Sequence, residues 1–165
     1  MLTQNELMRQ LTYNPLTGVF AWAIRKPKVK LGAVAGTIKH NGYIAIRVNL
    51  KSYGAHRLAW LYVTGEWPEF QIDHKNGVRT DNRFSNLRGA TQAENARNAP
   101  ASKNSSTGIK GISPAGSRFR AQIRIGKRKL HLGYFSTKEE AAKAYVAATN
   151  EQHGDFAFSK SRETR

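Results

Sequence analysis

Residues 72–95 read IDHKNGVRTDNRFSNLRGATQAEN, and the residue types in that run decide how the rest of the chain is understood. Phosphodiester hydrolysis needs a base to activate water and a cation to stabilise charge on the phosphate and the leaving oxygen. His74 has the intrinsic pKa for the first task. Asp73 is its immediate neighbour, so on a strand the two face opposite sides and serve one site only if the chain turns there. Gly77 supplies a turn or short hairpin. Thr91 and Glu94 have capping-box spacing, which starts a helix at Gln92 and carries Asn95 inward on its first turn. Asp73 and Asn95 then offer two hard oxygen ligands, with positions left for water and phosphate. Such a set suits Mg²⁺ or Mn²⁺ rather than Zn²⁺.

The surrounding composition calls for a polyanionic partner. In 165 residues Lys and Arg number 27 against 11 Asp and Glu, a formal charge of +16, which excludes a typical metabolic enzyme and puts nucleic acid ahead of acidic membrane. The charge is even: residues 1–100 hold 14 basic and 6 acidic side chains, and 101–165 hold 13 and 5. No apolar run approaches the roughly 18 residues of a membrane span, and MLTQNELMRQ lacks the order of a secretory signal. The absence of cysteine removes disulfides, thiol catalysis and cysteine zinc sites, and places the chain in a cytoplasm. A hydrophobic content of 39% marks a folded protein.

Upstream of the run, Thr3 and Glu6 form a capping box before Leu7, Met8 and Leu11, a short first helix. Asn14-Pro15 and Thr17-Gly18 read as a turn, and Val19–Ile24 as a strand. Asn41-Gly42 is a hairpin turn, followed by Ile44, Ile46, Val48 and Leu50 alternating with polar or small residues as a half-buried strand. Residues 55–64 return to helical spacing, with Gly65 placed to stop the helix.

Downstream, residues 100–107 (PASKNSST) lack periodicity and read as a linker. Arg118–Ile125 then alternates, Gly126-Lys127 turns, and Arg128–Phe135 returns. Folding on that turn sets Ile123 opposite Leu130, Ala121 opposite Leu132 and Phe119 opposite Tyr134. The other face pairs Arg124 with Lys129 and Gln122 with His131. Thr137 and Glu140 open a helix whose stripe is Ala141, Ala144, Tyr145 and Ala148, ended by Gly154. The result is a small sheet with a helix on its apolar face and a basic ladder on the other.

Asp73-His74, Asn86 and Asn95 match the spacing of the HNH endonuclease motif, in the Asp/Asn variant of phage and intron-encoded homing endonucleases. His56-Arg57-Leu58-Ala59-Trp60 and Asn86-Leu87-Arg88 also resemble that family, specifically over 54–98 and more loosely over 13–53. Asp-His before Gly is a common turn, and Asn-rich loops are common; the four positions in register with a capping box carry the resemblance. It implies a ββα-metal fold holding one divalent cation. His74 would be the general base, Asp73 and Asn95 the metal ligands, and Asn86 would orient His74 or position the scissile phosphate. His56 would pack behind the site. Ala99 stands where some members place a third metal-binding His, so two protein ligands are implied.

Residues 108–158 resemble the DNA-binding domain of the APETALA2 and ethylene-response factors, through Gly108–Ile112, Phe119–Ile123, His131–Phe135, Glu139–Tyr145 and His153-Gly154. That domain sets a three-stranded sheet in the major groove, and Arg118, Arg120, Arg124 and Lys129 occupy the matching face. The family tryptophans are missing, since Trp22, Trp60 and Trp67 all lie upstream; bidentate Arg–guanine contacts are left to read bases. No acid occurs between Glu94 and Glu139, unlike a merely solvated face.

The whole is expected to be α+β: a β-rich region and ββα-metal module over 1–99, a linker over 100–107, and a three-stranded antiparallel sheet packed on one helix over 108–165. The expected activity is metal-dependent hydrolysis of duplex DNA, by a monomer needing no small-molecule cofactor and no membrane. Arg83 and Arg88 are expected to join the DNA contacts. The competing expectation is a repressor or architectural DNA-binding protein whose HNH site is inactive. An RNA-binding role has no aromatic platform to support it.

Overall fold

The computed structural model describes residues 1–98, 101–102, 104–126 and 128–153. Contacts divide the chain into two compact units, Met1–Gln92 and a second from Ala93 onward.

The first unit opens with α1 (Gln4–Gln10), whose capping box is formed: Glu6 N–H donates to Thr3 Oγ1 at 3.3 Å and Thr3 N–H to Glu6 Oε2 at 2.8 Å. Leu11, expected on this helix, instead begins β1 (Leu11–Asn14), which pairs antiparallel with β2 (Val19–Trp22). β3 (Thr37–Ile38), β4 (Ile44–Val48) and β5 (Lys51–Gly54) form a three-stranded antiparallel sheet, with the Asn41-Gly42 turn between β3 and β4. The strand expected to reach Leu50 stops at Val48. Asn49 and Leu50 have φ of 48° and 64° and join Val48 to its partner Lys51. Two positive φ values make the turn whose twist matches a hairpin, so the apolar alternation ran on into a turn and left Leu50 exposed.

α2 (Ala55–Thr64) matches the predicted helix, and Gly65 caps it in the left-handed conformation. Leu58, Ala59 and Leu61 pack with Leu7, Leu11, Phe20, Ile46, Val48, Ile72 and Leu87 in the core. Next comes a two-stranded antiparallel sheet, β6 (Gln71–His74) with β7 (Leu87–Ala90), the latter entered through a 3₁₀ turn at Phe84–Asn86. α3 (Gln92–Asn98) begins where the capping-box spacing set it, and the boundary between the units falls after its first residue.

The second unit holds β8 (Ile112–Ala115), β9 (Arg118–Ile125) and β10 (Arg128–Phe135) in the order β10-β9-β8, with α4 (Lys138–His153) packed on the sheet. Ile112, Ala121 and Ala141 form its core, flanked by Phe119, Leu132 and Phe135. The Thr137–Glu140 box is present, with Glu140 N–H donating to Thr137 Oγ1 at 3.2 Å. The expected helix stop at Gly154, the turn residue Lys127, and Ala99, Pro100 and Lys103 lie outside the described residues.

The hairpin register holds from Arg128↔Ile125 to His131↔Gln122 and then shifts. A bulge between His131 and Gly133 sets Gly133, not Leu132, opposite Ala121, and Phe135, not Tyr134, opposite Phe119. Gly133 has φ of 129°, where a side chain is strained, so the bulge forms at the one residue that accepts it. Phe135 thereby joins the apolar face, while Tyr134 pairs with Arg120 on the basic one. Among the described residues no helix is long and apolar enough to cross a membrane.

Candidate active site

In the β6–β7 pair Asp73 lies opposite Arg88 and His74 opposite Leu87. Asp73 and His74 are each 3% exposed. Arg88 donates from Nε to Asp73 Oδ2 at 2.8 Å, and its Nη2 lies 2.6 Å from the same oxygen. The pair is buried, and the Arg88 guanidinium is held inward by the Asp73 carboxylate. It does not join an exposed DNA-facing set. Arg83 stays at the surface, its Nε donating to Asp81 Oδ1 at 2.8 Å.

His74 is the last residue of β6, and the chain turns there: Gly77 N–H donates to the His74 carbonyl at 2.8 Å. The turn expected at Gly77 therefore follows His74 directly. The His74 ring meets Asn82, with Nε2 3.2 Å from Asn82 Oδ1. Asn82 Nδ2 donates to the Thr80 carbonyl at 3.2 Å, which fixes the other end of the amide as the acceptor. The ring proton therefore sits on Nε2 and the lone pair on Nδ1. Asn82 is itself held from behind, since Tyr13 Oη donates to its carbonyl at 2.7 Å. The turn between β1 and β2 presses on the same loop: a Cβ at Gly18 would lie 2.4 Å from the Arg83 nitrogen, so only glycine fits there.

Asn86 does not touch the His74 ring. Its Nδ2 donates to Asn76 Oδ1 at 3.0 Å and to the Asp81 carbonyl at 2.8 Å, and its Oδ1 accepts from Asn76 N–H at 3.1 Å. It braces the loop that delivers Asn82. Sequence reasoning quoted Asn82 without a role, because a loop-borne partner eight residues from His74 has no periodic signature.

His56 stands against His74. Its ring stands edge-on to His74 with centroids 5.4 Å apart and 5.1 Å from Tyr43, whose ring is 5.8 Å from His74. Gly54 makes room, since a Cβ there would lie 2.7 Å from the imidazole. His56 Nδ1 is buried without a hydrogen-bond partner. Burial, with smaller repulsion from His74 and Arg57, pushes its pKa down to about 4. Burial likewise holds His74 below the ordinary imidazole value, partly opposed by Asn82, Asp73 and Asp81. Both rings are therefore neutral at pH 7.

The depressed His56 value has a stability consequence. Between its ordinary value and the folded one the unfolded chain binds the extra proton, so stability falls as pH drops through that window. At about 1.4 kcal/mol per pKa unit the loss reaches about 3 kcal/mol near pH 4. Urea unfolding at pH 7.5 and pH 4.5 should show this loss, and His56→Phe should remove most of that difference between the two pH values.

Asn95 rides on the first turn of α3 and belongs to the second unit. Among the described residues, no group of three or more His, Asp or Glu is placed to hold a metal ion. On the second unit's sheet Arg118, Arg124 and Lys129 are exposed, while Arg120 is partly buried with its Nε unpartnered. Tyr134, 54% exposed, stands among them with its ring 4.8 Å from that of His131; sequence reasoning had assigned it to the other face.

Comparison with known families places the segment that holds this geometry. Residues 53–97 match the HNH endonuclease family. The match runs from the end of β5 into α3 and contains His56, Asp73, His74, Asn82, Asn86 and Asn95. It points the HNH segment to nuclease or DNA-binding function, with DNA as the substrate the family implies. No curated protein and no solved structure matches the chain.

Proposed function

We propose that the chain is a homing-type, metal-dependent HNH endonuclease that hydrolyses a phosphodiester bond in duplex DNA to a 5′-phosphate and a 3′-hydroxyl. The observation that carries this reading is the buried, neutral His74, whose Nε2–H faces Asn82 and whose lone pair lies on Nδ1. In the reaction Nδ1 takes a proton from water as the oxygen attacks phosphorus, and the 3′-oxygen departs and is protonated from solvent. Asn82 holds the ring at the required tilt, and Asn86 keeps the loop that carries Asn82 in place.

The donor chemistry fits one Mg²⁺ or Mn²⁺ ion. By residue type, Asp73 would offer a buried carboxylate and Asn95 an amide oxygen, both hard donors, with water and phosphate to fill the remaining positions. Bound there, the ion supplies positive charge for the departing oxygen.

The second unit is read as an APETALA2-like module in which Arg118, Arg120, Arg124 and Lys129 contact DNA, alongside Arg83 from the first unit. A phage origin, a monomeric state on DNA and a cytoplasmic setting complete the reading. A non-catalytic DNA-binding protein is the second reading, and the Arg88 guanidinium on Asp73 favours it, because a neutralised carboxylate is a weaker cation ligand.

Supercoiled plasmid incubated with Mg²⁺, Mn²⁺ or EDTA separates the two. Relaxation or linearisation that needs the divalent ion is the expected result, with duplex affinity falling steeply as salt rises. Binding without cleavage under every metal condition, the DNA of the natural source included, assigns the chain to the second reading.

A further inference from the structure

We propose that the arm Arg25–Leu31 is a second DNA-binding element, gripping the phosphate backbone of the duplex without regard to its sequence. The choice of DNA as the polyanion rests on the nuclease reading above; the arm itself is argued from geometry and charge.

Beyond Trp22 the chain leaves β2, forms a loop and returns alongside the same strand. Trp22 N–H donates to the Ala33 carbonyl at 2.9 Å, Gly32 N–H to the Trp22 carbonyl at 2.8 Å and Ala35 N–H to the Phe20 carbonyl at 2.7 Å. The base of the arm is thus a β-ladder, and its tip is a tight turn closed by Val29 N–H to the Lys26 carbonyl at 3.1 Å. Arg25, Lys28 and Lys30 are exposed, and the Lys26 ammonium sits 3.5 Å from the centre of the Trp22 ring. With Val29 and Leu31 these four cations line an open concave face of about 700 Å³.

Nothing in the surrounding chain neutralises them. Residues 7–65 contain no Asp or Glu and nine Lys or Arg, and neither ion pair among the described residues involves the arm. A solvated surface loop normally interleaves both signs; a face of one sign attracts a polyanion.

The backbone supplies an independent argument. Lys28 has φ of 64° and follows Pro27 in the tip turn, the third position of a type II turn, where glycine is preferred. A lysine there is strained. Strain retained at a solvent-exposed tip, on a side chain that stabilises nothing in the fold, points outward to a ligand.

The arm also lies within reach of the duplex being cut. The far end of the β1–β2 hairpin packs on the Asn82 loop, with Phe84 N–H donating to the Pro15 carbonyl at 3.1 Å. From Gly18 to Arg25 an extended chain spans at most about 25 Å, less than the ~34 Å of one helical turn of DNA. One duplex can meet both.

The test uses the full chain and a labelled duplex of about three helical turns, read by fluorescence anisotropy across a salt series. Wild type is compared with the triple variant Arg25→Gln, Lys28→Gly, Lys30→Gln and with Lys28→Gly alone. The triple variant should lower the slope of log affinity against log salt by about 2–3 and weaken binding about tenfold or more near physiological salt. Lys28→Gly alone should weaken binding while raising the thermal midpoint, opposite signs that a structural role does not produce. An unchanged slope and affinity in the triple variant, beside a wild type that binds, overturns the arm and leaves the nuclease reading standing. A wild type that binds no duplex DNA overturns both. Loss of binding to phosphatidylserine vesicles but not to DNA overturns the arm as a DNA element in favour of a membrane surface.

Discussion

Replacing His74 with Ala lowers duplex cleavage by about 10²–10⁴-fold, the usual contribution of a general base, and leaves duplex affinity almost unchanged. The separation of the two effects follows from burial. His74 is 3% exposed and meets Asn82, His56 and Tyr43, so it adds little to the phosphate contacts that set affinity. Single-turnover cleavage and anisotropy on the same preparations measure both, below the melting temperature of the variant. The pH profile carries the same signature. Because burial holds the His74 pKa below its ordinary value, the ring stays neutral at neutral pH, and activity falls only as pH drops below about 6.5. Asn82→Ala should cost less than His74→Ala, since it leaves the base but frees its ring. A cleaving His74→Ala protein would mean that another group takes the proton.

The second large effect is on stability. Arg88→Ala takes from the buried Asp73 carboxylate the guanidinium that pairs with it and should destabilise the fold by about 3–5 kcal/mol. The side chains of the pair are only 12% and 5% exposed, so water cannot replace the lost contact cheaply. Changing both partners, Asp73→Leu with Arg88→Leu, should recover most of the loss, because a buried ion pair and a well-packed apolar pair are close in free energy. Urea unfolding of the two single variants and the double variant closes the cycle. A single-variant loss below about 1 kcal/mol would place the pair among exposed ones, which contribute that little.

What the sequence made legible was local. Helix α2 and its Gly65 stop follow from apolar spacing and a residue free to take positive φ, and the Thr3 and Thr137 caps from a hydroxyl three residues before a glutamate. The sheet with one helix in the second unit followed from alternation and a stripe of small residues. Non-local relations were not legible. Asn82 reaches His74 because Tyr13 and the turn at Gly18 hold its loop from another hairpin, and no spacing within residues 72–95 encodes that. Arg88 looked like a basic residue for DNA until strand register set it opposite Asp73. Leu50 continued an alternation into a turn, since apolar pattern says nothing of where a strand must reverse.

The bulge in β9–β10 acts on the hairpin as an inserted letter acts on a reading frame. Upstream of Leu132 odd and even positions keep one parity; downstream the parity is inverted, with Phe135 in the core and Tyr134 beside Arg120. Deleting Gly133 would remove the extra residue and restore an unbroken ladder, with Leu132 opposite Ala121, Tyr134 still beside Arg120 and Phe135 still against Phe119. Substitutions on this surface can change it by degrees, whereas straightening the bulge with every residue kept would turn the rest of the strand over at a stroke, sending Tyr134 inward and Phe135 to solvent.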